Sequence, residues 1–261
     1  AYIAAKASQK GFVPFEDGKK YKAEDGKKYK AGDKIIHVQK NHSVILAVIG
    51  RKSPEEGFNI TAAHIDSPRL DLKPNPLYED SGMAYFKTHY YGGILKYQWH
   101  TIPLALCGVV CKKDGSKVEV NIGSDAGDPV FCITDLLPHL GKDIVTKPVS
   151  QAFPAEGLNI LLASRPDASR DGDRVKTAVL KFLNEKYGIT AEDFHYAELT
   201  AVPADNARDV GFDRSLIASY GHDDRVCAYP CLTAIFEIEN PEKTCVTVLT
   251  DKEEIGSVGI T

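Results

Sequence analysis

Two seven-residue runs, Ser43-Val-Ile-Leu-Ala-Val-Ile49 and Thr244-Cys-Val-Thr-Val-Leu-Thr250, contain no charge and are rich in β-branched side chains. They are too short for a long helix and too apolar for a strand with one wet face, so both read as strands near the centre of a sheet. Such strands need layers packed on them, which favours an α/β architecture. Ile35-Ile-His-Val38 and Phe58-Asn-Ile-Thr-Ala-Ala-His64 read as further strands. The latter leaves His64 at a strand terminus, where open α/β sheets place ligands.

The rhythm changes near Tyr91. Leu104 to Cys111, Lys117 to Ile122 and Val130 to Ile133 are short strand patterns separated by Asp-Gly, Gly-Ser and Asp-Pro turn signals. A helix is predicted from about Asp173 to Tyr187, with Val175, Val179, Leu180, Phe182 and Leu183 on its apolar face and Gly188 as its stop. Thr190-Ala-Glu-Asp193 has the form of a capping box with Asp in place of Glu. Phe194 to Val202 reads as a strand returning to the first sheet, and Val226 to Ile238 as a helix that tolerates Pro230 near its start. The expected organisation is residues 1–90 as the first part of one domain, 91–192 as a β-rich insertion, and 193–261 as the second part of the first domain.

Near the start, Glu16-Asp-Gly-Lys-Lys-Tyr-Lys-Ala23 is repeated at once as Glu24 to Ala31. Two short copies with Asp-Gly steps suit a lengthened hairpin or loop rather than a solenoid. The chain opens on what reads as the middle of a helix and stops just after a strand end, so we expect a fragment.

A net charge of -4 leaves no basic excess to track a phosphate backbone, so nucleic acid is not an expected partner. No apolar run approaches the roughly 20 residues of a membrane span, and Ala1 to Gly11 lacks the apolar core of a secretory signal. We therefore expect a cytoplasmic protein without a membrane partner. Six cysteines (Cys107, Cys111, Cys132, Cys227, Cys231 and Cys245) sit in apolar surroundings without a C-x-x-C pair, which favours reduced thiols over a structural zinc knuckle.

Three polar clusters fall at the ends of these elements. In His64-Ile-Asp66, strand alternation puts the carboxylate on the face of the imidazole, where it can orient a metal ligand; an isolated H-x-D is more often a surface or satisfied core histidine. In Gly221-His-Asp-Asp-Arg225, one of two adjacent carboxylates can cap the following helix, or one can bridge two cations about 3.5–4 Å apart. In Asp251-Lys-Glu-Glu254, the acids are either a solvated turn or a pair that divides metal binding from proton handling.

Together, His64-Ile-Asp-Ser-Pro68, Tyr90-Tyr-Gly-Gly93, Gly221-His-Asp-Asp-Arg225 and Asp251-Lys-Glu-Glu-Ile-Gly-Ser257 occur in an order and approximate spacing that resembles the aspartyl aminopeptidase family of dinuclear metallopeptidases. The resemblance runs over nearly the whole chain. It implies an α/β, mixed-sheet metallopeptidase catalytic domain interrupted by a β-rich dimerisation domain. It implies two zinc ions per complete active site, with cobalt or manganese able to substitute. His64 is then a ligand of one zinc, Asp66 the residue that orients the site, Asp223 the bridging carboxylate, Asp224 its non-bridging neighbour, Glu253 the general base and Glu254 the ligand of the other ion. Two further ligands, an aspartate and a histidine, are implied beyond Thr261.

The activity implied is hydrolysis of the N-terminal residue of peptide substrates by a zinc-activated water, in a homo-oligomer that in this family reaches a dodecamer. A metal-dependent N-acyl amino acid deacylase would need almost the same ligands. A third reading is an inactive piece that serves as a structural cation site or assembly module.

Overall fold

The computed structural model of the chain describes residues 2–15, 29–169 and 171–256. Residues 16–28, most of the tandem octapeptide, lie outside the described residues, so the loop expected there stands apart from the structural account. In chain order the first elements are α1 (Tyr2–Gln9), β1 (Val13–Pro14), β2 (Lys34–Gln39), β3 (Ser43–Val48), β4 (Asn59–His64), β5 (Arg69–Asp80), β6 (Met83–Tyr91), β7 (Leu104–Cys111) and β8 (Lys117–Ile122). They are followed by α2 (Lys142–Val145), α3 (Val149–Ala152), β9 (Ile160–Ala163), α4 (Arg174–Tyr187), β10 (Ala197–Pro203), β11 (Arg208–Val210), β12 (Leu216–Ala218), α5 (His222–Glu237) and β13 (Cys245–Thr250). No helix among the described residues is long and apolar enough to cross a membrane.

These elements form two compact units. The first runs up to Ser67 and resumes at Gly221; the second is Pro68–Tyr220. The sequence expectation of a changeover at residues 90/91 and 192/193 therefore differs from the division by packing. The reason is the hairpin of β5 and β6, whose register runs from Arg69 opposite Tyr91 to Asp80 opposite Met83 and belongs wholly to the second unit. Pro74 and Pro76 lie where that register shifts, between Leu72 and Leu77, and they hide β5 from a reading based on alternation.

The first unit is a five-stranded mixed sheet in the order β1-β2-β3-β13-β4. β13 is antiparallel to β3 and parallel to β4. Both apolar runs singled out in the sequence are thus interior strands. Side chains of β3 and β13, with Leu46, Val48 and Leu249 fully buried, meet Ala228, Leu232 and Ile235 of α5 and Ala7 of α1 in one apolar cluster. The α5 residues are spaced i, i+4 and i+7, which is one face of a helix. Full burial of each aliphatic side chain contributes about 1.5–3 kcal/mol. At Gly50, just after β3, a Cβ would fall 2.3 Å from the main chain of Lys243 and Thr244, so only glycine permits this approach of β3 to the start of β13.

The second unit is an antiparallel six-stranded sheet, β8-β7-β10-β5-β6-β9, and a separate ribbon of β11 and β12. β10 pairs with β7 from Ala197 opposite Val110 to Pro203 opposite Leu104, and with β5 at Thr200 and Ala201. The expectation that residues 194–202 return to the first sheet is thereby corrected: Leu199 and Ala201 join the core of the second unit, and Glu192–Tyr196 form a 3-10 turn before the strand. Val130 to Ile133 makes isolated bridges rather than a strand. α4 ends as its sequence indicates, with Gly188 left-handed and its N–H donating to the Asn184 and Leu183 carbonyls.

Candidate metal centre

The site is built by register. In the parallel pair of β4 and β13, His64 stands opposite Thr250, and the Ile65 N–H donates to the Thr250 carbonyl at 2.9 Å. Both strands therefore finish at the same level, and the residues that follow them meet at the carboxyl end of the sheet. His64-Ile-Asp66 leaves β4, while Asp251-Lys-Glu-Glu254 leaves β13. Lys252 takes a left-handed conformation (φ 71°) that turns the chain into a 3-10 turn, Glu253–Ile255. The two glutamates thus sit on this turn, not on the strand itself.

Asp66 ties the two segments together. Its side chain is only 1% exposed, and its carboxylate accepts from the Glu253 N–H at 3.3 Å (Oδ1) and the Glu254 N–H at 3.1 Å (Oδ2). A buried carboxylate needs such donors, and the first N–H groups of a helical turn supply them. Asp66 also fixes the imidazole. His64 Nδ1 lies 3.1 Å from the Asp66 carbonyl oxygen and 3.4 Å from its Oδ1. Both are acceptors, so Nδ1 carries the hydrogen, and in the neutral ring Nε2 presents its lone pair.

The adjacent aspartates stand at the entry to α5. Their backbone angles depart from helix (Asp223 φ -83°, ψ 114°; Asp224 φ -114°, ψ 33°), and the peptide between them is cis. The regular part of α5 therefore begins at Arg225. Asp224 directly precedes it, and the Cys227 side chain and His64 hold its carboxyl below the usual range. Asp223 does not serve the helix. Its carboxylate is 85% exposed and sets Oδ1 3.0 Å from His64 Nε2. Gly221 (φ 82°) supplies the turn into this segment, and a Cβ there would meet the Arg225 guanidinium and Ser67 Oγ.

His64, Asp223 and Glu254 offer ligand atoms that all lie within 4.8 Å of one another, the one such group of three or more found among the described residues. Glu253, 60% exposed, brings Oε2 to 3.8 Å from His64 Nε2. The electrostatics match a site crowded with acid. Burial opposes charging of His64, but the hydrogen bond to the Asp66 carbonyl, the charges of Asp66 and Glu253 and the hydrogen bond to the Asp223 carboxylate outweigh it and raise its pKa. Burial, then the Asp223 carboxylate, pushes the Glu254 carboxyl above its ordinary value. One imidazole and two carboxylates are a donor set suited to zinc, and a divalent cation would relieve the mutual repulsion of the acids.

The structure thus brings together His64, Asp66, Asp223, Glu253 and Glu254. Sequence reasoning missed His42, whose Nδ1 lies 2.7 Å from the buried Asp251 carboxylate, and Ser43, whose Oγ accepts from the Asp251 N–H at 3.2 Å. Both anchor the end of β13 to the turn between β2 and β3. Nothing in the local pattern of residues 42–43 points to a partner more than 200 positions away.

Comparison with known proteins is consistent along the whole chain. Residues 1–261 match the family described as aminopeptidase I zinc metalloprotease (M18). A probable M18 family aminopeptidase 1 of Clostridium acetobutylicum is 52% identical over 233 residues, covering 88% of this chain and 50% of that protein. The crystal structure of an M18 family aminopeptidase from Thermotoga maritima superposes with a TM-score of 0.90 at 46% identity, over 98% of this chain and 54% of that one. A yeast mApe1 dodecamer, at 18% identity and a TM-score of 0.72, shares the fold. The chain spans about half the length of the curated relatives it matches. It belongs to the M18 family of zinc metallo-aminopeptidases.

Proposed function

We propose that this chain carries part of the active site of an aminopeptidase that releases the N-terminal residue of peptides, with His64, Asp223 and Glu254 holding zinc. The observation that carries this reading is the convergence of those three ligand atoms within 4.8 Å, at the ends of two parallel strands, in a member of a zinc aminopeptidase family. A pair of ions is the fuller form of the proposal: Asp223 has two carboxylate oxygens and lies beside both His64 and Glu254, as a bridging ligand must. Bound zinc would supply Lewis-acid polarisation of the peptide carbonyl and acidification of water toward neutral pH.

The chain's own residues do the rest. Asp66 keeps the hydrogen of His64 on Nδ1 and so keeps Nε2 directed into the site. Glu253, exposed and next to the ligand Glu254, takes the proton of the attacking water and delivers it to the nitrogen of the leaving amine.

The second unit is proposed as the assembly module of a homo-oligomer. Leu136, Leu137, Leu140, Val145 and Val149 are each more than half exposed within one short stretch of it, and the fold is shared with a protein solved as a dodecamer. A panel of unblocked aminoacyl substrates and their N-acyl counterparts tests the activity. Cleavage that requires the free amine supports the aminopeptidase; preference for the acylated series identifies a deacylase instead.

A further inference from the structure

The proposed ligand Asp223 presents a mechanical problem. Its side chain is 85% exposed, its backbone lies outside helical geometry, and α5 takes up helical backbone angles only beyond Asp224. A carboxylate on a free segment of this kind loses conformational entropy when it is fixed on a metal, which weakens binding. Something must hold the Asp223 main chain from outside the helix.

Ser67 is placed to do so. It is 4% exposed, and its Oγ donates to the Asp223 carbonyl oxygen at 3.1 Å. The serine follows Asp66 directly, so one tetrapeptide, His64-Ile-Asp-Ser67, reaches both other segments of the site. His64 faces the Asp223 carboxylate, Asp66 receives the turn of Glu253 and Glu254, and Ser67 holds the Asp223 backbone. Gly221 keeps this approach open, because a Cβ there would stand 3.1 Å from Ser67 Oγ.

We propose that Ser67 is a positioning residue for the metal centre: its hydroxyl preorganises Asp223 and thereby raises the affinity for zinc. The inference rests on the reading of Asp223 as a ligand, and the test separates the two. Zinc dissociation constants of the 261-residue chain are measured by chelator competition for the unaltered protein and for Ser67→Ala, Ser67→Thr, Asp223→Ala and the double variant Ser67→Ala/Asp223→Ala, with the melting temperature of each. Ser67→Ala is expected to weaken zinc on the order of 10-fold, within the range known for outer-shell partners of metal ligands, while the melting temperature stays near that of the parent.

Ser67→Thr, which keeps the hydroxyl, is expected to restore most of the affinity. In the Asp223→Ala background, removing the hydroxyl should cost nothing further, because Ser67 acts through Asp223. Zinc affinity unchanged in Ser67→Ala, a loss of the same size on top of Asp223→Ala, or a loss accompanied by a large fall in melting temperature would each overturn the proposal. If Asp223→Ala itself leaves zinc affinity untouched, it is the ligand assignment that fails.

Discussion

The Glu254 main-chain N–H donates to Oδ2 of Asp66 at 3.1 Å, joining two residues 188 positions apart. Asp66 thus sets the tautomer of His64, first through its carbonyl oxygen with its carboxylate close by, and through that carboxylate the position of the turn that carries the two glutamates. Replacing Asp66 by Asn keeps the shape but removes the charge and puts an amide NH2 where one of the acceptors stood. We expect Asp66→Asn to weaken zinc binding by roughly 10–100-fold with all three ligands intact. Chelator competition reads this directly, and an unchanged dissociation constant would show that Asp66 does not support the site.

Gly50→Ala should destabilise the first unit. The added Cβ would lie 2.3 Å from backbone atoms of Lys243 and Thr244, where no flexible side chain can give way, and the Gly50 N–H bond to Thr244 Oγ1 at 3.0 Å would be strained with it. We expect a loss of about 1–3 kcal/mol, the usual cost of overpacking, in urea unfolding. A variant as stable as the parent would mean that β3 and the start of β13 are not held this close.

Asp193 predicts a pH dependence in the second unit. Its carboxylate accepts from the Thr190 N–H and Oγ1, both at 2.8 Å, which holds its pKa below the ordinary aspartate range. A depressed folded-state value means that the stabilisation is complete above the unfolded value of about 3.9 and is lost as pH falls through the folded value. Asp193→Asn should therefore cost about 1 kcal/mol at neutral pH, like the loss of a helix cap, and progressively less in strong acid. Stability curves for the two proteins that run parallel from pH 7 to pH 2 would contradict this.

Those pairings explain how much could be read from sequence. β3, β13, β7 and β8 were legible because burial on a sheet leaves uncharged or alternating runs, and α4 because its apolar spacing ends on Gly188. The polar clusters were legible as chemistry, since His64, Asp66, Asp223, Glu253 and Glu254 follow or begin such elements. Sheet membership was not. β10 carries Leu199 and Ala201 on an alternation that would suit either sheet, and only long-range pairing with β7 decides the matter. Nor could adjacent Asp223 and Asp224 be sorted by pattern: both depart from helical backbone angles, and only the fold sets the Asp223 carboxylate against His64. The clamp of His42 on Asp251 has no local signature at all.

The most direct test of the account is the zinc that remains bound, by elemental analysis after dialysis, in Glu254→Gln and Glu253→Gln. Glu254 is assigned as a ligand, and a neutral amide coordinates zinc poorly, so Glu254→Gln should lose metal that excess zinc restores in part. Glu253 is assigned as the base, so Glu253→Gln should keep its zinc, while turnover in any assembly competent for catalysis falls roughly 10²–10⁴-fold and is not rescued by added metal. The reverse pattern, with Glu253→Gln depleted and Glu254→Gln fully loaded, would contradict the assignment of the pair and with it the proposed centre.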